Sequence, residues 1–364
     1  ADFRSATPAP PMKLAPPSSR RAFAVLMVMV VITVLSILAG ALAIFLKVES
    51  QLAANANDSE KLLWAGRAGV DRACWILANE PGGPTSLKQI WAGGPGIGPE
   101  TNGPLMGISL TGYPVGDCTV DISMVEQESK FNVNTADDQL LRQILTAMGA
   151  KPDEISTVAD SIRDWIDRDD DTKPAGAESD YYQGQMPPYF AKNAPIDDIE
   201  ELQLIKGVSP LVFKGGSVED PSIPFKRHKL GFNAGPGPSE DLLFGLRDVL
   251  TPYSSGKVNI NTVSSNVLAC IPEMDEATVE GILNLRDSAG DTLTGDGVLR
   301  DLNMLRSVVP NPAALQQLQR YCTVQGNTYE VTVTAHAGAN SREFVAVIIR
   351  SDRNRAQIVG FRPK

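Results

Sequence analysis

The longest pattern in the chain has no polar break: Phe23 to Leu46 is a stretch of 24 residues without a charge. As a helix rising 1.5 Å per residue it would reach about 36 Å, enough for a bilayer core of about 30 Å. A helix-compatible stretch follows, VESQLAANANDSEKLLWAGRAGVDRACWILANE, and no proline falls between Pro17 and Pro81. One long helix is expected, apolar first and amphipathic after. A signal peptide is the competing reading, but its apolar region would be only about 7–15 residues long and would end in a small-residue cleavage site.

Period two appears later. Cys118-Thr-Val-Asp-Ile-Ser-Met-Val and Lys130-Phe-Asn-Val-Asn suit a hairpin of two short strands. Before them, residues 81–116 are rich in Gly and Pro and read as a loop, whose GxG pieces lack the spacing and the strand–helix context of a dinucleotide site. Near the C-terminus Tyr329, Val331, Val333 and Ala335 alternate with polar residues. A Gly/Asn turn at 337–341, an apolar run from Phe344 and a third run from Ala356 to Phe361 complete an antiparallel meander. One face of it is free to pack on the amphipathic half of the N-terminal helix.

Between these strands the chain repeats itself. FNVNTADDQLLRQIL (131–145) recurs 127 residues later as VNINTVSSNVLACI (258–271), aligning Asn132 with Asn259, Asn134 with Asn261, Thr135 with Thr262, Leu141 with Leu268 and Ile144 with Ile271. Each copy runs on into a second helix that opens with Asp-Glu, at 153–154 and 275–276, and closes with Arg-Asp, at 163–164 and 286–287. This is a duplicated strand–helix–helix unit, with Thr135 or Thr262 able to cap the first helix. Such hairpins, and IEELQLIKGVSPLVFKG (199–215), are also similar to helix-hairpin-helix DNA-binding units. That reading needs a Gly-x-Gly turn presenting N–H groups to phosphate, whereas the turns here are Lys206-Gly-Val-Ser-Pro and the acidic Pro272-Glu-Met-Asp-Glu. Structural hairpins are favoured.

Charge narrows the partners. The 364 residues carry 33 Lys+Arg against 43 Asp+Glu, a formal net charge of −10, so nucleic acid is not an expected partner. With 43% hydrophobic and 21% charged residues, wholesale disorder is excluded. Cys74, Cys118, Cys270 and Cys322 form no CxxC pair, and with only two histidines a short-spaced zinc site is not expected. An even, dispersed set suits disulfides in an oxidising compartment. The pairs nearest in sequence, Cys74–Cys118 and Cys270–Cys322, are predicted, with free buried thiols as the alternative.

Before the apolar run lie Arg4, Lys13, Arg20 and Arg21 against Asp2 alone, which keeps the first 22 residues cytoplasmic and sends everything after about residue 47 across the membrane. A basic leader before an apolar helix resembles a type IV prepilin. The resemblance implies cleavage by a prepilin peptidase at Ala22–Phe23 and methylation of Phe23; Ala22 departs from the usual Gly. Ordinary pilins carry Glu at the fifth mature position, which here is Met27. A carboxylate within hydrocarbon is costly unless paired. A subunit without it suits a place with no earlier neighbour, the filament tip.

The densest charge lies in DWIDRDDDTKPAGAESDYY. Asp167, Asp169, Asp171 and Glu178 fall at positions 1, 3, 5 and 12 of a twelve-residue calcium loop. The fit is partial, because Thr172 replaces the usual Gly and Pro174 stands at position 8. Carboxylates this dense repel one another without a cation. Calcium is the preferred reading over a solvated loop relieved by Arg163, Arg168 and Lys173. A DxD magnesium enzyme lacks a phosphate loop or base, and no GxSxG elbow or Walker loop occurs.

In this order the leader and apolar helix, SKFNVNTA, DWIDRDDDTKPAGAESDYY, PYFAKNAPIDDIEELQLIKGV and KVNINTVSSNVLACIP resemble the K-type minor pseudopilins of the type II secretion system (general secretion pathway protein K) over nearly the whole chain. The resemblance implies an α+β fold: a pilin-like N-terminal transmembrane helix packed on an antiparallel sheet, with a large inserted helical domain. It also implies a subunit processed by prepilin peptidase and anchored in the bacterial inner membrane, with its C-terminal domain periplasmic and no enzymatic role. Its implied place is the pseudopilus tip, in complex with I-type and J-type minor pseudopilins and in contact with other pseudopilins. Calcium in the helical domain would be held among Asp167, Asp169, Asp171, Glu178 and Asp180. The expected divisions are a leader (1–22), the helix (23–80), a first pilin-like part (81–135), the inserted domain (136–250), and a second helical unit with the C-terminal sheet (251–364). The rivals are a DNA-uptake or type IV pilus adaptor using the hairpins, and a metal-dependent enzyme using the acidic loop.

Overall fold

The computed structural model describes residues 19–96, 103–215, 244–287, 297–352 and 355–364. The expected leader up to Ser18 lies outside them, as do 97–102 of the Gly/Pro-rich stretch and 216–243 of the expected insertion. Of Arg20 to Ala22 only the helical backbone is described. The chain divides at Lys61/Leu62 into an N-terminal unit and a compact unit of residues 62–364.

The N-terminal unit is helical from Ser19, the start of α1 (Ser19–Asn79). Its apolar side chains from Phe23 to Leu46 are exposed, and α1 is the one helix among the described residues long and apolar enough to cross a membrane.

In the compact unit the last turns of α1 pack on a five-stranded antiparallel sheet: β1 (Tyr113–Val115), β2 (Cys118–Glu126), β7 (Thr328–Ala337), β8 (Asn340–Asp352) and β9 (Arg355–Pro363), in that spatial order. Strand alternation turns Val120, Ile122, Tyr329, Val331, Val333, Phe344, Ala346 and Ile348 onto Leu62, Ala65, Val70, Ala73 and Ile76. The helix lies close because Gly66 and Gly69 face the sheet; a Cβ on either would strike the Phe344 ring or Val333. This is the α+β, pilin-like arrangement expected from the sequence.

Register shows where the insertion begins and ends. Glu126 at the end of β2 pairs with Tyr329 near the start of β7, so the chain from 127 to 327 leaves the sheet and returns beside its point of departure. The inserted lobe therefore contains both copies of the repeat, extending beyond 136–250. It has its own core, in which Phe131, Leu141, Ile144, Trp165, Tyr182, Phe213, Leu268, Ile282 and Leu318 are buried.

Each copy is a closed unit. The first runs β3 (Phe131–Asn132), α2 (Asp138–Met148), α3 (Pro152–Ile166), α4 (Ser179–Gln183), α5 (Pro210–Lys214), α6 (Leu246–Val249) and β4 (Leu250–Thr251), with β3 and β4 parallel. The second runs β5 (Val258–Asn259), α7 (Ser265–Ala269), α8 (Glu276–Asp287), α9 (Pro312–Tyr321) and β6 (Cys322–Thr323), with β5 and β6 parallel. The expected hairpin of β2 with the strand at 130–134 is thus replaced. β2 pairs with β1 and β7, and the two-residue β3 joins the inserted lobe.

Helix caps also differ from expectation. Asp137 accepts the N–H of Leu140 at 2.8 Å to start α2, and Ser264 caps α7 by accepting from Val267. Thr135 and Thr262 instead donate to the carbonyls of Asn132 and Asn259, tightening the turn before each helix.

All four cysteines are free thiols, so neither expected disulfide is formed. Cys74 donates from α1 to the carbonyl of Ala356 in β9 at 3.1 Å, whereas Cys118 begins β2, three places across the sheet. At about 4.8 Å per strand that separation is far too wide for a bridge. Cys270 turns back on its own helix, donating to the carbonyl of Asn266 at 3.1 Å. Burial pushes the thiols of Cys270 and Cys322 well up from the ordinary value.

Candidate functional site

The acidic loop grows out of α3. Val158, Ala159, Ile162 and Trp165 anchor one face of this helix in the lobe core. Asp160 and Asp164, one turn apart on another face, receive the loop that follows: Ala175 N donates to Asp160 Oδ2 at 3.1 Å, and Lys173 N donates to both oxygens of Asp164 at 3.2–3.3 Å. Asp164 is fully buried. Trp165 packs edge-on against Tyr182, and Tyr182 stacks on Tyr189, so α3, α4 and the segment after α4 are fixed around the loop.

Asp167 ends α3, and the chain turns outward. Asp169 Oδ1 accepts from Asp171 N at 3.1 Å, a local turn made by an Asp side chain. Asn193, whose backbone is left-handed at φ 46°, donates from Nδ2 to the Asp169 carbonyl at 3.2 Å and to Asp170 Oδ1 at 2.9 Å. Glu178, at the N-terminus of α4, is only 4% exposed.

Four oxygen atoms here are buried with no hydrogen-bond partner: Glu178 Oε1 and Oε2, Asp167 Oδ1 and Asn193 Oδ1. Orphaned buried acceptors of this kind are rare in folded proteins. Burial, followed by the negative charges of Asp164, Asp167, Asp170 and Asp169, pushes the Glu178 carboxyl up to about 7. Burial likewise raises Asp164, against the opposing bonds from Lys173.

Of the five candidate ligands, the structure brings Asp167 and Glu178 together with unused oxygens. Asp169 is engaged locally, while Asp171 and Asp180 are exposed. Two further residues reach the loop although its spacing omits them: Asp164, which precedes it and whose charge acts on Glu178, and Asn193, which arrives from beyond α4 and bonds Asp169 and Asp170. Among the described residues no three Asp, Glu, His or Cys side chains converge tightly enough to hold an ion as they stand. The donor chemistry is nonetheless all oxygen, carboxylate and amide, which fits a hard divalent cation such as calcium.

A second feature lies on the pilin-like base. A groove of about 570 Å³ is lined by Ala68, Arg72 and Trp75 of α1 and by Tyr113, Pro114 and Val115 of β1. Arg72 stacks 3.6 Å over the Tyr113 ring, and Trp75 is 44% exposed. Trp64, 65% exposed, lies eleven residues earlier, about three helical turns, and so on the same face of α1.

Comparison with known proteins agrees across sequence and fold. Residues 121–215 match the family model described as type II secretion system (T2SS), protein K. Type II secretion system protein K of Klebsiella pneumoniae is 25% identical over 211 residues, 54% of this chain and 60% of that protein. Its counterpart in Aeromonas hydrophila is 24% identical over 221 residues, 54% of this chain and 62% of that protein. The matched part of the chain thus spans about three fifths of these relatives' length. A solved structure described as the GspK-GspI-GspJ complex from the enterotoxigenic Escherichia coli type 2 secretion system contains a chain of the same fold. That likeness has a TM-score of 0.58 at 15% identity and covers 85% of this chain and 98% of that one.

Proposed function

We propose, from the premise that this chain is a relative of type II secretion system protein K, that it is the minor pseudopilin at the tip of a secretion pseudopilus. In this reading α1 anchors it by a single span in the bacterial inner membrane after prepilin peptidase cuts at Ala22–Phe23, and the remainder stands in the periplasm. It assembles with I-type and J-type minor pseudopilins, starts the pseudopilus and performs no catalysis.

The observation that carries this reading is the β2–β7 pairing. A pilin-like base receives a whole second lobe, 127–327, between adjacent strands. In a fibre whose members pack by their N-terminal helices, a lobe of that bulk obstructs further subunits on its side and suits the end position. The groove with Trp75 and Arg72 supports lateral packing against a partner, since Trp, Tyr and Arg supply most hot-spot energy in interfaces.

Calcium orders the acidic loop in the same reading. Glu178 and Asp167 with Asn193 Oδ1 would hold the ion beside Asp164, and Asp169, Asp171 and Asp180 are the further carboxylates within the same segment. The ion supplies the positive charge that these buried oxygens lack, and its role is structural. The test is co-purification of the full chain with I- and J-type partners, with melting measured with and without calcium. A stable ternary complex and a calcium-dependent rise in melting temperature are expected. Failure to associate with either partner would reject the tip assignment, and an unchanged melting temperature would reject the ion.

A further inference from the structure

The acidic loop already contains a cation. The ammonium of Lys173 lies 2.7 Å from Asp167 Oδ2 and 3.2 Å from Asp164 Oδ1, inside the span from Asp164 to Glu178. Its stem is held in place by the backbone: Lys173 N donates to Asp164, and Gly176 N closes a turn by donating to the Lys173 carbonyl at 3.0 Å. Gly176 lies so near Asp164 that a Cβ there would strike the carboxylate. The loop is therefore clamped on Asp164, with Lys173 bent over it.

Charge and hydrogen bonding do not balance in this arrangement. One ammonium serves Asp164 and Asp167, while Asp167 Oδ1, both Glu178 oxygens and Asn193 Oδ1 are left buried and unpartnered. The nearby Lys206 ammonium is engaged by the Ala175 and Gly176 carbonyls at 3.3 and 2.8 Å. Among the described residues one ammonium, that of Lys173, lies between the Asp164 and Asp167 carboxylates, with the Glu178 carboxyl beside them. Another monovalent ion in its place would bring no more charge than Lys173 does, and it would compete against a group tethered at high effective concentration. A divalent ion brings a second charge and takes six to eight oxygens. Lys173 is 37% exposed, so its flexible four-carbon stem has a way out to water.

We propose that Lys173 is the tethered counter-ion of this site: it occupies the Asp164–Asp167 pair until a divalent cation takes the pair and drives the ammonium into solvent. Lys173 then determines both how tightly the ion binds and why monovalent ions do not. This rests on the calcium reading above and deepens it. Lysine suits the role because its charge is compact and mobile. Arginine's planar fork would grip the carboxylates in pairs and be harder to displace.

The experiment uses the full chain in detergent micelles, stripped of ions by chelation, with calcium binding followed by titration calorimetry. Lys173→Met is expected to bind calcium about tenfold more tightly than wild type, and Lys173→Arg more weakly. Without calcium, Lys173→Met is expected to melt lower than wild type, having lost the ammonium that pairs with both Asp164 and Asp167. In parallel, acylation of wild-type Lys173 by acetic anhydride, read by mass spectrometry with Lys257 as internal reference, should rise several-fold when calcium is added. This second measurement decides the matter if Lys173→Met does not fold without calcium. Equal calcium affinity in wild type and Lys173→Met, or labelling of Lys173 unaffected by calcium, overturns the counter-ion role and leaves the calcium site standing. Absence of calcium binding in every variant removes the site, and this inference with it.

Discussion

Asn134 and Ile196 hold each other by two hydrogen bonds: Ile196 N donates to Asn134 Oδ1 at 2.7 Å, and Asn134 Nδ2 donates to the Ile196 carbonyl at 3.0 Å. The second copy repeats the exchange between Asn261 and Leu299, at 2.8 and 2.9 Å. In both copies the held loop leads within two residues to an Asp, Asp198 or Asp301, which caps a 3-10 turn. An arginine latch is also duplicated, Arg163 donating to the Ala136 carbonyl and Arg286 to that of Val263. The duplication therefore extends past the two helices to the closing parallel strands.

Removing the amide of Asn261 leaves the N–H and C=O of Leu299 buried and unpaired, with a small cavity besides. Asn261 is only 2% exposed. Asn261→Ala is expected to cost about 2–4 kcal/mol, and Asn134→Ala, at a half-buried position, less. Urea unfolding of the two variants checks both the size and the order. Equal and small losses would show that the clamps are incidental.

How far the sequence discloses this fold depends on where its signals are local. The Asn-x-Asn-Thr motif and its helices were legible because both copies keep one offset, Asn134 to Asn261 being 127 residues. Beyond them the offset falls to 103, from Ile196 to Leu299, so the matching loops do not align by inspection. β1 was hidden in the Gly/Pro-rich stretch as three residues around Pro114, and β3, read correctly as a short strand, is two residues long and carries no signal that its partner is the distant β4 and not β2. At the acidic loop, Asp167 and Glu178 were visible from spacing. Asn193 was not, because only the packing of Tyr189 on Tyr182 brings its segment back.

Glu178→Gln separates charge from shape at the acidic loop. Without calcium, the substitution removes one of several crowded carboxylates, and the ion-free chain is expected to melt higher than wild type. With calcium in excess, the variant is expected to gain little, whereas wild type gains stability in proportion to the logarithm of ion concentration above its Kd. Thermal melts over a calcium series check both signs. A variant that loses stability without calcium and still responds to it would contradict this arrangement.

Trp75 and Trp64 test the lateral contact. Their rings are substantially exposed on one face of α1, so truncation forfeits little of the fold. Trp64→Ala/Trp75→Ala is expected to keep the melting temperature within about 2 °C of wild type, as surface changes generally do. The same variant should co-purify with I- and J-type partners at least about tenfold more weakly, on the scale of interface hot spots. Unimpaired co-purification would move the partner surface elsewhere.

Glu126 predicts how stability changes with pH. It ends β2, where the chain leaves the sheet, and its carboxyl is buried against Asn259, whose Nδ2 donates to it at 2.8 and 3.1 Å. Burial pushes it from 4.5 up to about 8, with hydrogen bonds from Thr262 and Asn259 pulling down and Glu128 adding to the rise. Glu128 is itself raised by burial, although backbone N–H groups of Ser255, Asn327 and Thr328 donate to it. The sign follows from proton counting. Below pH 4.5 Glu126 is protonated folded or unfolded. Between 4.5 and about 8 the folded chain keeps a proton that the unfolded chain releases, so stability falls as pH rises and levels off above about 8. Glu126→Gln keeps an oxygen for Asn259 and has no proton to lose. Measured by urea unfolding, wild type should lose on the order of a few kcal/mol more than Glu126→Gln between pH 5 and pH 8, the acidic loop titrating alike in both. Parallel curves for the two proteins would mean that this carboxyl ionises freely in the fold.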